Sequence, residues 1–408
     1  MLKSKSLIAA FLLMALATRA QVFYKYDNKL YKAVYLNQAF HLMDSMHNFL
    51  LLDVRSPGEY ADTGRATALN IGRFKGSVNV PIDSIQNHLA ELKKYSDQPI
   101  FVYCSHSQRS RRVSKLLSEN GFQHVYNING GMSVVNEDDD KQFPAKSKHL
   151  VTENGYRNIG PADAMNLMET TPGLVIIDIR TPMEFSGTDS LRQNNIGHLK
   201  NAINIPQDVF DQKLNSFRIP PTSPVLLYDG KGYNSMDVVS FLRARGFTQI
   251  YNLYGGLETF ICHHGLNDNR ANLLITDAPP FQILDSKACI DLMTGSPGLV
   301  IIDARTADEF NNKSDKVYMN LGYLKSAVNI TGALELNTLL SQKEKSTPIL
   351  VYASNGPSGV LISYNLVDMG FSHVYYMGQG FYHFVWSTAN IENCQSGRAL
   401  LVNHEGIY

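Results

Sequence analysis

Three stretches of this chain repeat one pattern: an apolar run ends in Asp-x-Arg, and an acidic-aromatic pair follows. The copies are Asp53-Val54-Arg55 with Glu59-Tyr60, Asp178-Ile179-Arg180 with Glu184-Phe185, and Asp303-Ala304-Arg305 with Glu309-Phe310, spaced by 125 residues. A period of this length is too long for a solenoid, whose repeats run roughly 20–50 residues, so each copy must bury its own core. The chain therefore divides into three similar domains.

Within each copy, short apolar runs alternate with helical patterns, the signature of a parallel sheet with crossover helices. The runs Phe49 to Val54, Leu174 to Ile179 and Leu299 to Ala304 are nearly all apolar, which suits strands covered on both faces. A second strand is expected at Pro99 to Tyr103, Pro224 to Tyr228 and Pro348 to Tyr352. In copy one a helix follows, with Val113, Leu116 and Leu117 on one face and Gly121 placed to stop it. A short strand at Val125 to Ile128 then leads into Gly130-Gly131, matched by Gly255-Gly256 and Gln379-Gly380.

The expected boundaries are a leader over 1–20, domain one over 21–137, a polar linker over 138–150 and domain two over 151–264. A second linker over 265–276 precedes domain three over 277–408. Lys3 and Lys5 precede an apolar stretch from Leu7 to Ala17, and Ala20-Gln21 offers a small-residue cut site, so the start reads as a cleaved signal peptide. That stretch is well short of the ~20 residues a spanning helix needs. The protein is thus expected to be exported, to a bacterial periplasm, with no stable membrane span. With 37 basic and 37 acidic residues, nothing favours a nucleic-acid partner.

Chemistry separates the copies. The position after the second strand is Cys104 in copy one, Asp229 in copy two and Ala353 in copy three. Cys104-Ser105-His106-Ser107-Gln108-Arg109-Ser110 lies between strand and helix, where unpaired backbone N–H groups and the helix dipole favour an anion. A thiol there is expected to ionise readily and, since polar residues follow it, to stand at an exposed loop mouth. Arg109 supplies a fixed cation, suited to holding an anion or to bracing the loop. Copies two and three lose the cysteine and the arginine together and read as non-catalytic. Asp229 would repel an anionic donor, or accept the loop N–H groups itself. The other cysteines are Cys262, Cys289 and Cys394, whose pairing the spacing leaves open. Cys262-His263-His264 has no second ligand cluster beside it and reads as a domain end, not a metal site.

Taken together, these motifs resemble the rhodanese domain. Beyond Asp-x-Arg and the cysteine loop, the resemblance includes Gly72 to Pro81, Gly197 to Pro206 and Gly322 to Ile330, and the late glycine pair. It implies an α/β domain around a central parallel sheet, used three times. It further implies that Cys104 takes up a sulfane sulfur as a persulfide, with Arg109 as the loop arginine and Ser105, His106, Ser107, Gln108 and Ser110 surrounding the sulfur. The donor would be a small anion such as thiosulfate. The acceptor would be a thiol or cyanide-like nucleophile, including a thioredoxin-like protein, and no cofactor is implied. Related phosphatases and arsenate reductases place five residues between Cys and Arg; the four here suit sulfur. Two departures stand out: Ser107 occupies a position usually held by glycine, and Val135 one often held by tryptophan. The alternative from another class is a periplasmic binding or scaffold protein built from the same modules.

Overall fold

The computed structural model describes residues 24, 26–46, 48–137, 146–263, 273–354 and 357–406. The expected leader lies outside them, as do most of both expected linkers. Among the described residues no helix is long and apolar enough to cross a membrane.

Each copy builds a five-stranded, all-parallel sheet. In the first, the order across the sheet is Lys32–Val34, Val125–Ile128, Ile100–Tyr103, Leu50–Asp53 and Val78–Asn79. The two central strands are buried at every residue, as their unbroken apolar sequence requires. The second and third copies repeat this with Val175–Asp178 beside Val225–Tyr228 and Val300–Asp303 beside Ile349–Tyr352. Each domain is then closed by a chain segment that follows its late Gly-Gly or Gln-Gly motif. Leu150–Val151 pairs antiparallel with Arg73–Phe74, Ile275–Thr276 with His198–Leu199, and Leu401–Val402 with Tyr323–Leu324.

The repeated Asp-x-Arg is a scaffold element. Asp53 is fully buried, and Arg55 beside it donates from Nη2 to its Oδ2 at 2.7 Å and to the Gly72 carbonyl at 2.8 Å. Arg180 repeats both bonds with Asp178 and Gly197, and Arg305 with Asp303 and Gly322. The pair thereby ties the carboxyl end of a central strand to the glycine turn seventeen residues later. Asn79 adds a second tie, donating from Nδ2 to the carbonyls of Asp53 and Arg55, as Asn204 and Asn329 do in their own domains.

The third domain shares core with both others. One apolar cluster joins Phe40, Met43 and Val135 of domain one to Cys289, Phe384 and Trp386. Another joins Leu226 and Phe260 of domain two to Ile283 and Tyr376. Removing one charge of a buried pair strands the other in low dielectric, at a cost of about 3–5 kcal/mol. Asp303→Asn should therefore lower the stability of the third domain by that amount, read as earlier loss of its amide protection in a urea series.

Candidate active site

The Cys104 loop leaves strand Ile100–Tyr103 and enters helix Gln108–Glu119, whose buried face carries Val113 and Leu117. Gly121, at φ +83°, stops that helix with its N–H on the Ser118 carbonyl. At the start of the helix Ser107 adopts φ +73°. A side chain in the left-handed region costs roughly 1–2 kcal/mol, which is why glycine is the usual choice there. Ser107 is retained by its hydroxyl, which accepts the Gly130 N–H at 2.6 Å inside the protein.

The glycine pair braces the loop from behind. The N–H groups of Met132 and Ser133 bond the carbonyls of Cys104 and Ser105, both at 3.0 Å. A Cβ at Gly131 would stand 2.0 Å from the Cys104 carbonyl oxygen, so only glycine permits this approach. The same two bonds recur from Leu257 and Glu258 to Asp229 and Gly230, and from Phe381 and Tyr382 to Ala353 and Ser354. All three copies thus brace the first two residues of the loop in the same way, whatever side chain stands there.

Copy two reveals where that loop aims its donors. The Asp229 carboxylate accepts backbone N–H groups from Lys231 at 2.7 Å, from Gly232, from Asn234 at 2.6 Å and from Ser235 at 2.9 Å. Gly232 has φ +76°, matching Ser107. The corresponding residues around Cys104, 125 positions earlier, are His106, Ser107, Arg109 and Ser110. Of the two uses the sequence allows for Asp229, the structure adopts the second: the side chain fills its own anion cradle.

Not every expected site residue faces the cradle. Ser110 turns its hydroxyl inward, donating to Asn127 Oδ1 at 2.6 Å, and Gln108 is exposed at the first turn of the helix. Ser105 is buried and accepts from Arg109 at 2.8 Å. Arg109 braces the loop instead of holding a free anion: its two terminal nitrogens donate to both Glu59 oxygens, each at 2.7 Å. This fork geometry is the strong, bidentate form of the ion pair. Burial opposes the Arg109 charge, but the hydrogen bond to Glu59 and the nearby Cys104 sulfur outweigh it and raise its pKa. Burial likewise works to raise the Glu59 pKa, yet the bonds from Arg109 and Ser56 hold it down, at about 2. Glu59 is also the third residue of a capping box with Ser56, so the acidic residue of the repeat has a second role that only copy one uses for an arginine.

Cys104 itself is 1% exposed, not at the open loop mouth that the polar residues after it predict. The cause is packing: Cys104 belongs to the apolar cluster of domain one with Val54, Val102 and Val113, and its counterpart Asp229 is also buried, at 4%. Cys104 forms no disulfide; Cys262, Cys289 and Cys394 are free and buried as well. Burial pushes the Cys262 and Cys289 thiols well up and Cys394 to about 12, which makes all three poor nucleophiles. His263 caps the helix Gly256–Cys262, and His264 lies outside the described residues.

Residues that sequence reasoning missed come from the third domain. In helix Gly380–Asn390, Trp386 donates from Nε1 to the His106 carbonyl at 3.1 Å, and Asn390 Oδ1 accepts the Gly130 N–H at 3.1 Å. An indole thus reaches the loop across a domain boundary, while Val135, where the family often has tryptophan, is buried in the shared core. His106 borders a cleft with its side chain partly in solvent. The crowding of that cleft desolvates the ring, and with Arg109 beside it the pKa falls to about 4.

The profile of the rhodanese-like domain matches residues 37–138, 160–261 and 286–385. Among curated proteins, the chain is 29% identical over 117 residues to thiosulfate sulfurtransferase GlpE of Coxiella burnetii, covering 29% of this chain and 98% of that protein. It is 32% identical over 81 residues to the uncharacterised protein YqhL of Bacillus subtilis, covering 20% of this chain and 56% of the other. It is also 32% identical over 89 residues to a tRNA uridine(34) hydroxylase of Buchnera aphidicola, with 21% of this chain and 26% of the hydroxylase covered. A solved structure of the anaerobic ergothioneine biosynthesis enzyme of Chlorobium limicola aligns over 86% of this chain and 96% of its own, at 12% identity and a TM-score of 0.25.

Glu59 links this site to pH. Its folded-state pKa lies below the ordinary value of 4.5, so the Glu59–Arg109 pair contributes fully above that value. The contribution is lost as pH falls from 4.5 toward about 2. Glu59→Gln should flatten this part of the pH–stability profile, measured as urea midpoints across the range.

Proposed function

We propose that this chain, which belongs to the rhodanese-like domain family, is an exported sulfurtransferase working through a persulfide on Cys104. The observation that carries this reading is the cradle of copy two. There, four backbone N–H groups converge on a carboxylate, and copy one places the Cys104 sulfur at the matching position, with Ser107 at φ +73° where copy two has Gly232 at +76°. Donors aimed at a fixed point stabilise negative charge that develops there without reorganising, as in an oxyanion hole.

The Cys104 thiolate attacks the outer sulfur of an anionic donor such as thiosulfate. The donor's S–S bond breaks, sulfite leaves with the electron pair, and Cys104 retains one extra sulfur. A thiol or cyanide-like acceptor, small or carried on a thioredoxin-like protein, then attacks that sulfur and returns the pair to Cys104. His106, Ser107, Arg109 and Ser110 supply the N–H groups, and Arg109 with Glu59 holds the loop in shape. Domains two and three do not form persulfides. Copy two fills its own cradle, and copy three has Ala353 at the centre, with Ser354 bonding Glu309 at 3.0 Å where Arg109 bonds Glu59. Export rests on the expected leader.

One observation favours the second reading, a binding or scaffold protein: the 1% exposure of Cys104. The two readings part in one experiment. After incubation with thiosulfate, intact mass should rise by one sulfur atom, localised by proteolysis to Cys104. Cys104→Ser should show no gain and lose at least a thousandfold in thiocyanate formation from cyanide. A folded wild-type protein that takes up no sulfur, and whose Cys104 resists alkylation until denatured, would sink the enzymatic reading in favour of the scaffold.

A further inference from the structure

A cavity of about 650 Å³ lies where the three domains meet. Its size is that of a site for a small organic ligand. His106 and Gln108 of the Cys104 loop form part of its wall, facing the second domain's loop and the third domain's helix Gly380–Asn390. The lining is aromatic, with Tyr233, Tyr254, Tyr318, Tyr382 and Trp386 contributed by two different domains. Tyr233, Tyr318 and Tyr382 are 64%, 51% and 37% exposed, and they are the exposed tyrosines among the described residues. That all three converge on one cavity is a pattern that core packing does not require.

The charges in the lining discriminate further. Glu137 and Glu258 contribute two formal negative charges against one positive charge from Lys231. His106 and His383 add none at neutral pH, since desolvation takes each to about 4. The Tyr233, Tyr254 and Tyr382 phenols are neutral as well, since their surroundings raise pKa values that start at 10.0. A small anion entering here meets an excess of carboxylate charge, whereas a cation is attracted by that charge and by any ring face it meets.

We infer that this three-domain cavity binds a small organic cation. Resting on the sulfur-transfer reading, we assign that cation to the acceptor half-reaction, as an amine-bearing thiol. In that step the acceptor thiolate attacks the outer, protonated sulfur of the Cys104 persulfide. The S–S bond to Cys104 breaks, its electron pair stays on the Cys104 sulfur, and the acceptor leaves as a persulfide carrying the proton. There is no net oxidation or reduction.

Trp386 is the chain's single tryptophan and lines the cavity, so its fluorescence reports occupancy without any sulfur chemistry. Three probes of similar shape isolate charge: choline, the neutral 3,3-dimethylbutan-1-ol, and the anion 3,3-dimethylbutanoate. Choline should bind at least tenfold more tightly than the alcohol, and the anion more weakly than both. The double variant Glu137→Gln, Glu258→Gln should bring choline close to the alcohol, with near-ultraviolet dichroism confirming an intact fold. Cys104→Ser should bind choline as the wild type does. Equal or tighter binding of the alcohol or the anion overturns the proposal, as does an absence of both fluorescence change and calorimetric heat with choline. In a second arm, persulfidated protein is offered cysteamine or 3-mercaptopropionate at matched thiolate concentration. A tenfold preference for cysteamine, lost in the double variant, supports the acceptor role. Choline binding with no transfer to either thiol, or with equal transfer to both, would overturn the acceptor assignment while leaving cation binding established; failure of sulfur uptake from thiosulfate is what would overturn the sulfur-transfer reading.

Discussion

The structure depends on an ion pair that never meets water. In each domain an aspartate at the end of a central strand holds an arginine two residues on, and that arginine reaches a glycine carbonyl on the next turn. Such a pair gains little over a well-packed apolar substitute, because desolvation of two charges offsets their attraction. Its contribution is geometric. The planar guanidinium can satisfy the carboxylate and the carbonyl together only when the strand end and the turn stand in one relation. Since ligands in parallel sheets bind beyond the carboxyl ends of strands, this fixes the platform on which the loops stand.

On that platform one loop is used in three ways. Two features recur: a left-handed residue before the helix in copies one and two, and in all three a pair of N–H groups, just after the late glycine motif, on the carbonyls of the loop's first two residues. Copy one places sulfur at the focus, copy two a carboxylate and copy three a methyl group. The carboxylate makes the donors' direction visible, because short N–H contacts to Asp229 mark the point where negative charge is most favoured. The matching thiol of copy one is equally buried, within one apolar cluster that includes Val54, Val102 and Val113 of domain one.

The third domain supplies what the first lacks. Its helix Gly380–Asn390 bonds the Cys104 loop at His106 and the glycine turn at Gly130, and shares an apolar cluster with domain one. The second domain closes the other side of the cleft through Lys231 and Tyr233. Domains whose own loops lack a cysteine thus take part in the site by shaping the space outside it.

Much of this was legible in the sequence, because it depends on neighbours along the chain. The apolar runs before Asp53, Asp178 and Asp303 marked the central strands, Gly121 the helix end, and the lone thiol the distinctive copy. Ser56 and Glu59 stand at capping-box spacing, so the cap was also open to reading. Local pattern could not show that Arg109 spends its fork on Glu59, fifty residues away, or that Cys104 is enclosed. Nor could it show that Trp386 and Asn390 approach from 260 or more residues distant. Sequence by itself determined the three parallel sheets and the one cysteine loop, since hydrophobic periodicity and turn chemistry are written in adjacent residues. Tertiary structure alone decided what the arginine holds, what covers the thiol and which rings line the cleft, because those contacts join residues far apart in the chain, the first two within domain one and the last between domains.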